Sequence, residues 1–333
     1  MIKKSKRSTL LFLSLFSVSV LSFSGNVIKA DENVYNIERI AGKDRYETSL
    51  NVMKYLMKDS NDLKFGVVAS GEDFPDALSA GFLSSEYDAP LILSKKNYVP
   101  SNVEKDLKQK NIDNMFLVGG EKTLSKTVEN TISQNSKLTT RIAGKDRYST
   151  SEFANIQIAK LYGSPVIGDT SAVYNGNLFA DALSATPFMH QYNSVNETKL
   201  PLLAVDGKKG AKNYSLIFGG ESSIPKFEEE HRLAGSDRYK TAVEIAKAYK
   251  TILNKDIDTI IIANGEDYPD SLCAGPLASK NNAAILLTNS NKLNKDTKEY
   301  IEFNKNIKKV IIVGGENSVS KDIEKDLEKI IKR

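Results

Sequence analysis

A chain of 333 residues with 46 Lys and Arg, 42 Asp and Glu, two His and one Cys has room for more than one small domain and too little cysteine for a disulfide framework. Five of the cations and none of the acids fall in the first 30 residues, so the remainder carries 41 cations against 42 anions. A balance near −1 excludes a global field that draws in nucleic acid and leaves any bound anion to a local cluster.

Residues 1–30 read as a secretory signal. Lys3, Lys4, Lys6 and Arg7 form its positive end, Leu10 to Phe23 its apolar middle, and Val27-Ile28-Lys29-Ala30 a cleavage site. The apolar run is short and broken by serine, which argues against a membrane span. An exported protein with no membrane attachment after cleavage is expected.

The next stretch, Arg39-Ile40-Ala41-Gly42-Lys43-Asp44-Arg45-Tyr46-Glu47-Thr48, organises the rest. It returns as Arg141-Ile-Ala-Gly-Lys-Asp146-Arg147-Tyr148-Ser149-Thr150 and as Arg232-Leu-Ala-Gly-Ser-Asp237-Arg238-Tyr239-Lys240-Thr241. Copies 102 and 91 residues apart are too widely spaced for a solenoid and suit three small domains. In each, the apolar residue and Ala end a short strand, Gly permits a turn, and Asp44, Asp146 or Asp237 caps a helix. A capping box is expected only in the first copy, where Glu47 stands three residues after the cap.

After the first copy come a helix from Glu47 to Lys58 and a buried strand at Phe65–Ala69. The loop Ser70–Pro75, a small-residue helix from Asp76 to Ser85 and a strand at Pro90–Leu93 follow. A helix from Ser101 to Lys110, a strand at Met115–Val118, Gly119-Gly120-Glu121 and a helix from Leu124 to Ile132 complete the unit. Continuous apolar strands alternating with helices imply a parallel sheet covered on both faces. The third unit repeats this order with strands at Thr259–Ala263, Ala284–Leu287 and Val310–Val313, ending in Gly314-Gly315-Glu316. The second keeps Pro201–Leu203, Leu216–Phe218 and Gly219-Gly220-Glu221, but Asn177 and Leu178 stand where the other loops are acidic. A 95-residue lobe buries little by itself, so the lobes are expected to pack together, with Asn36–Ile40 meeting the third and closing a triangle.

The thrice-repeated decapeptide, the Asp-Ala-Leu or Asp-Ser-Leu after each first strand, and Gly-Gly-Glu after the last resemble the clostridial type 2 cell wall-binding repeat over nearly all of Arg39 to Arg333. The resemblance implies an α/β fold of three homologous lobes, each a small parallel sheet with helices on both faces, packed as a pseudo-threefold triangle. It divides the chain into the signal at 1–30 and repeats at 31–138, 139–230 and 231–333. It also implies non-covalent attachment to an anionic wall polymer, a polysaccharide or teichoic-acid-like chain, of a Gram-positive bacterium, with no cofactor.

The carboxyl end, Lys325 to Arg333, carries neither a sorting motif nor an apolar tail, and no Cys follows the signal to take a lipid. This agrees with retention at the cell surface by binding. Arg45, Arg147 and Arg238, and Asp76, Asp181 and Asp270 at the carboxyl edges of the sheets, are the candidate ligand-binding residues. The arginines would hold phosphate or carboxylate at the positive ends of their helices. Their plainer reading, shared with Arg39, Arg141 and Arg232, is ion pairing with aspartates between lobes. The plainer reading of Asp76, Asp181 and Asp270 is an N-cap. Asp73 and Asp267 offer extra carboxylates for Ca²⁺ in two lobes, but the second lobe lacks one, and no metal is expected. Tyr46, Tyr148 and Tyr239 read as core or interface. Glu121, Glu221 and Glu316 read as turn or junction contacts. Lys95-Lys96, Lys208-Lys209 and Lys308-Lys309 offer separate anion contacts or simply solvated faces.

Two rivals remain. A wall amidase or amidase modifier would need zinc, and His190 and His231 lack the spacing for it. Cys273, where the first unit has Ser79, reads as a small buried residue and not a nucleophile. An adhesin or surface-layer component would use the insertion Met189–Lys199 as a partner-facing loop.

Overall fold

The computed structural model describes residues 35–58, 60–163, 170–197, 199–208, 214–226 and 231–332. The expected signal at 1–30 and Lys209 lie outside them. The first lobe runs α1 (Arg45–Met57), β2 (Asp62–Ser70), α2 (Pro75–Glu86), β3 (Leu91–Ser94), α3 (Ser101–Leu107), β4 (Asn111–Val118) and α4 (Lys126–Ser133), after an initial strand β1 (Asn36–Ile40). The second contains β5 (Leu138–Ile142), α5 (Arg147–Leu161), β6 (Ser171–Asn175), α6 (Ala180–Val195), β7 (Leu202–Val205) and β8 (Tyr214–Phe218). The third contains β9 (Arg232–Leu233), α7 (Arg238–Thr251), β10 (Thr259–Asn264), one 3₁₀ turn at Ser271–Cys273, α8 (Ala274–Lys280), β11 (Ala284–Thr288), α9 (Lys295–Phe303), β12 (Lys309–Val313) and α10 (Lys321–Ile331).

Three separate four-stranded sheets result, ordered β3-β2-β4-β5, β7-β6-β8-β9 and β11-β10-β12-β1, with every pairing parallel. Central strands such as Ile260-Ile261-Ile262 are wholly buried, as a sheet covered on both faces requires. The short strand of each decapeptide does not open the lobe that follows it. It completes the sheet of the lobe before: Leu138–Ile142 pairs with Asn114–Val118, and Asn36–Ile40 pairs with Lys309–Val313 at the far end of the chain. The expected closure through Asn36–Ile40 is therefore present. The helix that follows each strand packs on the next lobe, α1 on β3, α5 on β7 and α7 on β11. One decapeptide thus belongs to two lobes.

Helices α2, α6 and α8 pack against one another at the pseudo-threefold axis. Small side chains allow it: a Cβ on Gly275 would lie 2.9 Å from Thr186 Cγ2 and 3.9 Å from the Gly81 carbonyl, these three residues holding the same place in the three lobes. At the start of these helices Phe74, Phe179 and Tyr268, one from each lobe, form a triangle with ring centroids 6.1, 5.3 and 5.8 Å apart. Arg147 and Arg238, which open the helices after the second and third decapeptide turns, lie over two rings of that hub.

Candidate functional site

Most of the decapeptide is spent on holding lobes together. Arg39 Nη1 donates to the carbonyls of Gly314 and Val319, both at 2.8 Å, while Nε and Nη2 grip Glu324 Oε2 at 3.0 and 2.7 Å. Arg141 repeats this on the Gly119 carbonyl at 2.7 Å and Glu129 Oε2 at 3.3 and 3.0 Å. Arg232 donates to the Gly219 carbonyl at 2.7 Å. The acid is thus glutamate for Arg39 and Arg141, where aspartate was expected. A strand arginine beside the Gly-Gly turn reaches the first turn of the helix beyond it, and Glu129 and Glu324 stand there. Lys126 and Arg141 hold the Glu129 carboxyl below its ordinary range. The first glycine of each Gly-Gly-Glu has φ of 125, 118 or 115°, a backbone that side chains other than glycine adopt only under strain.

The caps behave as expected at Asp44, Asp146 and Asp237, which accept from helix N–H groups at 2.8–3.0 Å. The capping box does not. Glu47 turns to the Lys43 N–H at 2.9 Å, and the reciprocal bond forms instead in the second copy, where the Asp146 N–H donates to Ser149 Oγ at 3.2 Å. A serine hydroxyl can accept this bond as well as Glu or Gln can, so the residue rule missed it. The helix ends are already occupied by their own aspartates, which weakens the expectation that they receive a polymer's anion.

Arg45, Arg147 and Arg238 each donate Nη1 to the glycine carbonyl of the loop after the lobe's central strand, Gly71, Gly176 and Gly265, at 2.6, 2.9 and 2.5 Å. The tyrosine ring beside each arginine lies on the same glycine: a Cβ there would meet Tyr46, Tyr148 or Tyr239 at 2.7–3.0 Å. Thr48, Thr150 and Thr241 accept the N–H of Gly42, Gly144 and Gly235. Among the described residues these arginines make no aspartate ion pair, but Arg147 and Arg238 also reach across the lobe junctions, over the rings of Phe74 and Phe179 at 5.9 and 5.5 Å.

Asp76, Asp181 and Asp270 do not act as the expected N-caps, since no side chain at these helix starts accepts a cap hydrogen bond. Phe74 and Phe179 occupy the cap positions of α2 and α6, so Asp76 and Asp181 fall inside the first turn and face the Gly-Gly turn instead. A Cβ on Gly119 would lie 2.8 Å from Asp76 Oδ2, one on Gly219 2.5 Å from Asp181 Oδ2, and one on Gly314 3.1 Å from Asp270 Cβ. Burial raises the Asp76 carboxyl, and burial pushes Asp181 up to about 6 against the opposing pull of Arg238.

Two clefts between lobes collect these groups. The first, about 370 Å³, is lined by Asp73, Asp76 and Thr123 of the first lobe and by Lys145, Asp146 and Arg147 of the next decapeptide. The second, about 210 Å³, is lined by Asp181 and Ser223 on one side, Asp237 and Arg238 on the other, with Phe74 and Phe179 at its inner end. The candidate residues therefore meet in pairs across junctions, Asp76 with Arg147 and Asp181 with Arg238. Asp270 and Arg45 hold the equivalent places of the third lobe and the first decapeptide. The sequence reading missed Thr123, Ser223 and the aromatic hub. The hub was legible as a shared Phe or Tyr two residues before each Asp, at Phe74, Phe179 and Tyr268.

The sequence profile of cell wall binding domain 2 matches residues 39–129, 141–228 and 232–324. The chain belongs to the cell wall binding domain 2 family. Among its relatives, N-acetylmuramoyl-L-alanine amidase LytC of Bacillus subtilis is 27% identical over 303 residues, covering 88% of this chain and 58% of LytC. The amidase enhancer of the same organism is 29% identical over 331 residues, covering 94% of this chain and 45% of the enhancer. The chain thus spans about half the length of these relatives. Cwp8 from Clostridium difficile superposes with a TM-score of 0.72 at 25% identity, covering 89% of this chain and 51% of Cwp8. Cwp6 gives 0.72 at 23%, covering 90% and 49%. The three cell wall binding domains are arranged as three α/β lobes of the kind seen in these structures.

The remaining sequence candidates divide clearly. Lys309 is tied to Tyr55 Oη at 2.6 Å and Glu38 at 3.4 Å, and Lys95 lies over the rings of Tyr46 and Tyr98, so neither is a bare anion contact. The expected loop at Met189–Lys199 is helix as far as Val195, and Asn193 inside it bonds both backbone groups of Leu200 at 2.9–3.1 Å. Buried Gln191 and Asn193 make that segment a longer α6. His190 Nδ1 faces Glu86 Oε1 at 3.3 Å, and Tyr162 donates to the other oxygen of the same carboxylate, at the end of α2 remote from the clefts. Cys273 is buried, and burial raises its thiol pKa. Among the described residues no three His, Cys, Asp or Glu gather to hold a metal, and no helix is long and apolar enough to cross a membrane.

Proposed function

We propose that the three repeats, 31–138, 139–230 and 231–333, act as one exported body that binds an anionic polymer of a Gram-positive wall non-covalently and without catalysis. The polymer runs across the clefts between lobes. The observation that carries this reading is that an aspartate of one lobe and an arginine of the next decapeptide line each of the two clefts together, beside the aromatic hub. Exposed Lys122 and Lys145 border the first cleft and supply charge for the anion. Several equivalent contacts along a repeating ligand gain from effective concentration, so no single cleft has to bind tightly.

The amidase reading has less support from the side chains. His190 is engaged by the Glu86 carboxylate, and the amidase activity named for one relative belongs to a protein this chain spans only in part. Co-sedimentation of residues 31–333 with purified wall tests the proposal, before and after acid removes the anionic polymer. Binding that needs the polymer and weakens as salt rises is expected. Equal binding to stripped peptidoglycan, or release of wall fragments with added zinc, overturns it.

A further inference from the structure

The two clefts are built from equivalent residues but end in different states. In the first, the Thr123 hydroxyl is placed to donate to the Gly120 carbonyl at 2.9 Å or to Asp76 Oδ2 at 3.2 Å, so it has partners within reach. In the second, the same places hold Ser223 and Asp181, and they do not meet. Ser223 Oγ is buried with no partner, and among the described residues no hydrogen bond reaches the Asp181 carboxylate. Asp181 is 8% and Ser223 9% exposed. Buried polar groups are ordinarily paired, and a buried hydroxyl with no partner beside a carboxylate that takes no hydrogen bond calls for an occupant.

The surroundings define that occupant. Phe74 and Phe179 close the inner end with half-buried rings that already lie under Arg147 and Arg238, and Leu178, 43% exposed, stands at the mouth. Arg238 already spends Nη1 on the Gly265 carbonyl, and its charge is opposed by Asp181 and Asp237 in the same cleft. An anion would meet the Asp181 and Asp237 carboxylates there. A hydroxyl donates to it at no such cost. The volume, about 210 Å³, lies below the roughly 300–1,000 Å³ of sites that enclose a drug-sized ligand, which leaves room for one ring of a longer chain.

We propose that the cleft between the second and third lobes is a subsite for one uncharged, hydroxyl-bearing sugar ring. Asp181 accepts a hydrogen bond from one hydroxyl, Ser223 bonds a neighbouring hydroxyl, and the apolar face of the ring rests on Leu178 at the mouth. The inference rests on the wall-polymer reading and adds that recognition at this cleft is by neutral sugar and not by charge.

Amide NMR of residues 31–333 titrated with methyl glucoside, methyl mannoside and N-acetylglucosamine, and separately with inorganic phosphate, tests it. The sugars are expected to shift Leu178, Gly220, Ser223 and Gly235 at tens of millimolar, leaving Thr123 and Gly144 still, while phosphate leaves the second cleft unmoved. In wall co-sedimentation, Ser223→Val is expected to weaken binding several-fold with its salt dependence unchanged, the melting curve confirming that the variant is folded. Sugars that move neither cleft, or phosphate that moves the second, overturn the inference. Wild-type protein that fails to sediment with wall while the sugars still shift Ser223 instead overturns the wall-polymer reading and leaves the sugar site standing.

Discussion

Arg141 and Arg147 stand six residues apart in the same decapeptide, yet their surroundings differ. Arg141 closes a sheet, with three of its nitrogens fixed on Glu129 and the Gly119 carbonyl. Arg147 makes one bond to the Gly176 carbonyl, lies over the Phe74 ring and lines a cleft. Residues repeated three times with equal fidelity therefore divide into a strand half that joins lobes and a helix half that also borders a ligand face. Repetition alone does not separate the two.

Replacing each arginine by methionine, which keeps the apolar stem, gives the sharpest test of that division. Arg141→Met leaves Glu129 with Lys126 alone and the Gly119 carbonyl without its donor. A loss of about 3 kcal/mol is expected, below that of a fully buried pair because both side chains retain some exposure. The loss narrows as pH falls through the lowered pKa of Glu129, since the carboxylate whose ionised form is stabilised becomes protonated there. Arg147→Met removes one hydrogen bond and a ring contact, for about 1 kcal/mol, and is expected to lower wall binding more than it lowers stability. Chemical denaturation and co-sedimentation on both variants measure this. Equal destabilisation with equal loss of binding would erase the distinction.

The contrast between the clefts gives the next effect, with the opposite sign. Burial raises Asp181 from the ordinary 3.8 to about 6. Its charged form is disfavoured by folding, so the penalty is absent below pH 4, grows between pH 4 and 6 and is complete above. That rise corresponds to roughly 2–3 kcal/mol. Asp181→Asn is therefore expected to stabilise the protein by about 2 kcal/mol at pH 7.5 and hardly at all at pH 4, while weakening polymer binding. A residue that costs stability where it lines a cleft is what a binding site requires. A gap that is the same at both pH values would remove the burial argument.

What was legible in the sequence follows from how local each signal is. The apolar runs at Phe65–Ala69, Thr259–Ala263 and Val310–Val313 and the caps at Asp44, Asp146 and Asp237 depend on neighbours in the chain, and they are where the pattern put them. The closure of the ring by Asn36–Ile40 was also readable, because three similar strands with a lobe before only two of them leave one to be matched. The candidate site was legible only in part. Asp76 and Arg147, or Asp181 and Arg238, face each other because a strand joins the preceding sheet, a pairing no local pattern encodes. Thr123 and Ser223 were invisible, since whether a hydroxyl reaches a carboxylate is decided by side-chain placement across the turn at Gly119 or Gly219.

The smallest expected effect tests the helix half alone. Ser149 both receives the Asp146 N–H and gives its own N–H to Asp146 Oδ1, at 3.2 and 2.8 Å, whereas Glu47 at the same place turns to Lys43. Ser149→Ala removes one bond of the reciprocal pair but leaves Asp146 as cap, so a loss of about 0.5 kcal/mol is expected. Glu47→Ala removes a bond that lies outside the cap and is exposed, for a few tenths at most. If thermal melts rank Glu47→Ala as the more damaging, the first decapeptide depends on its glutamate in a way that the geometry at Asp44 does not supply.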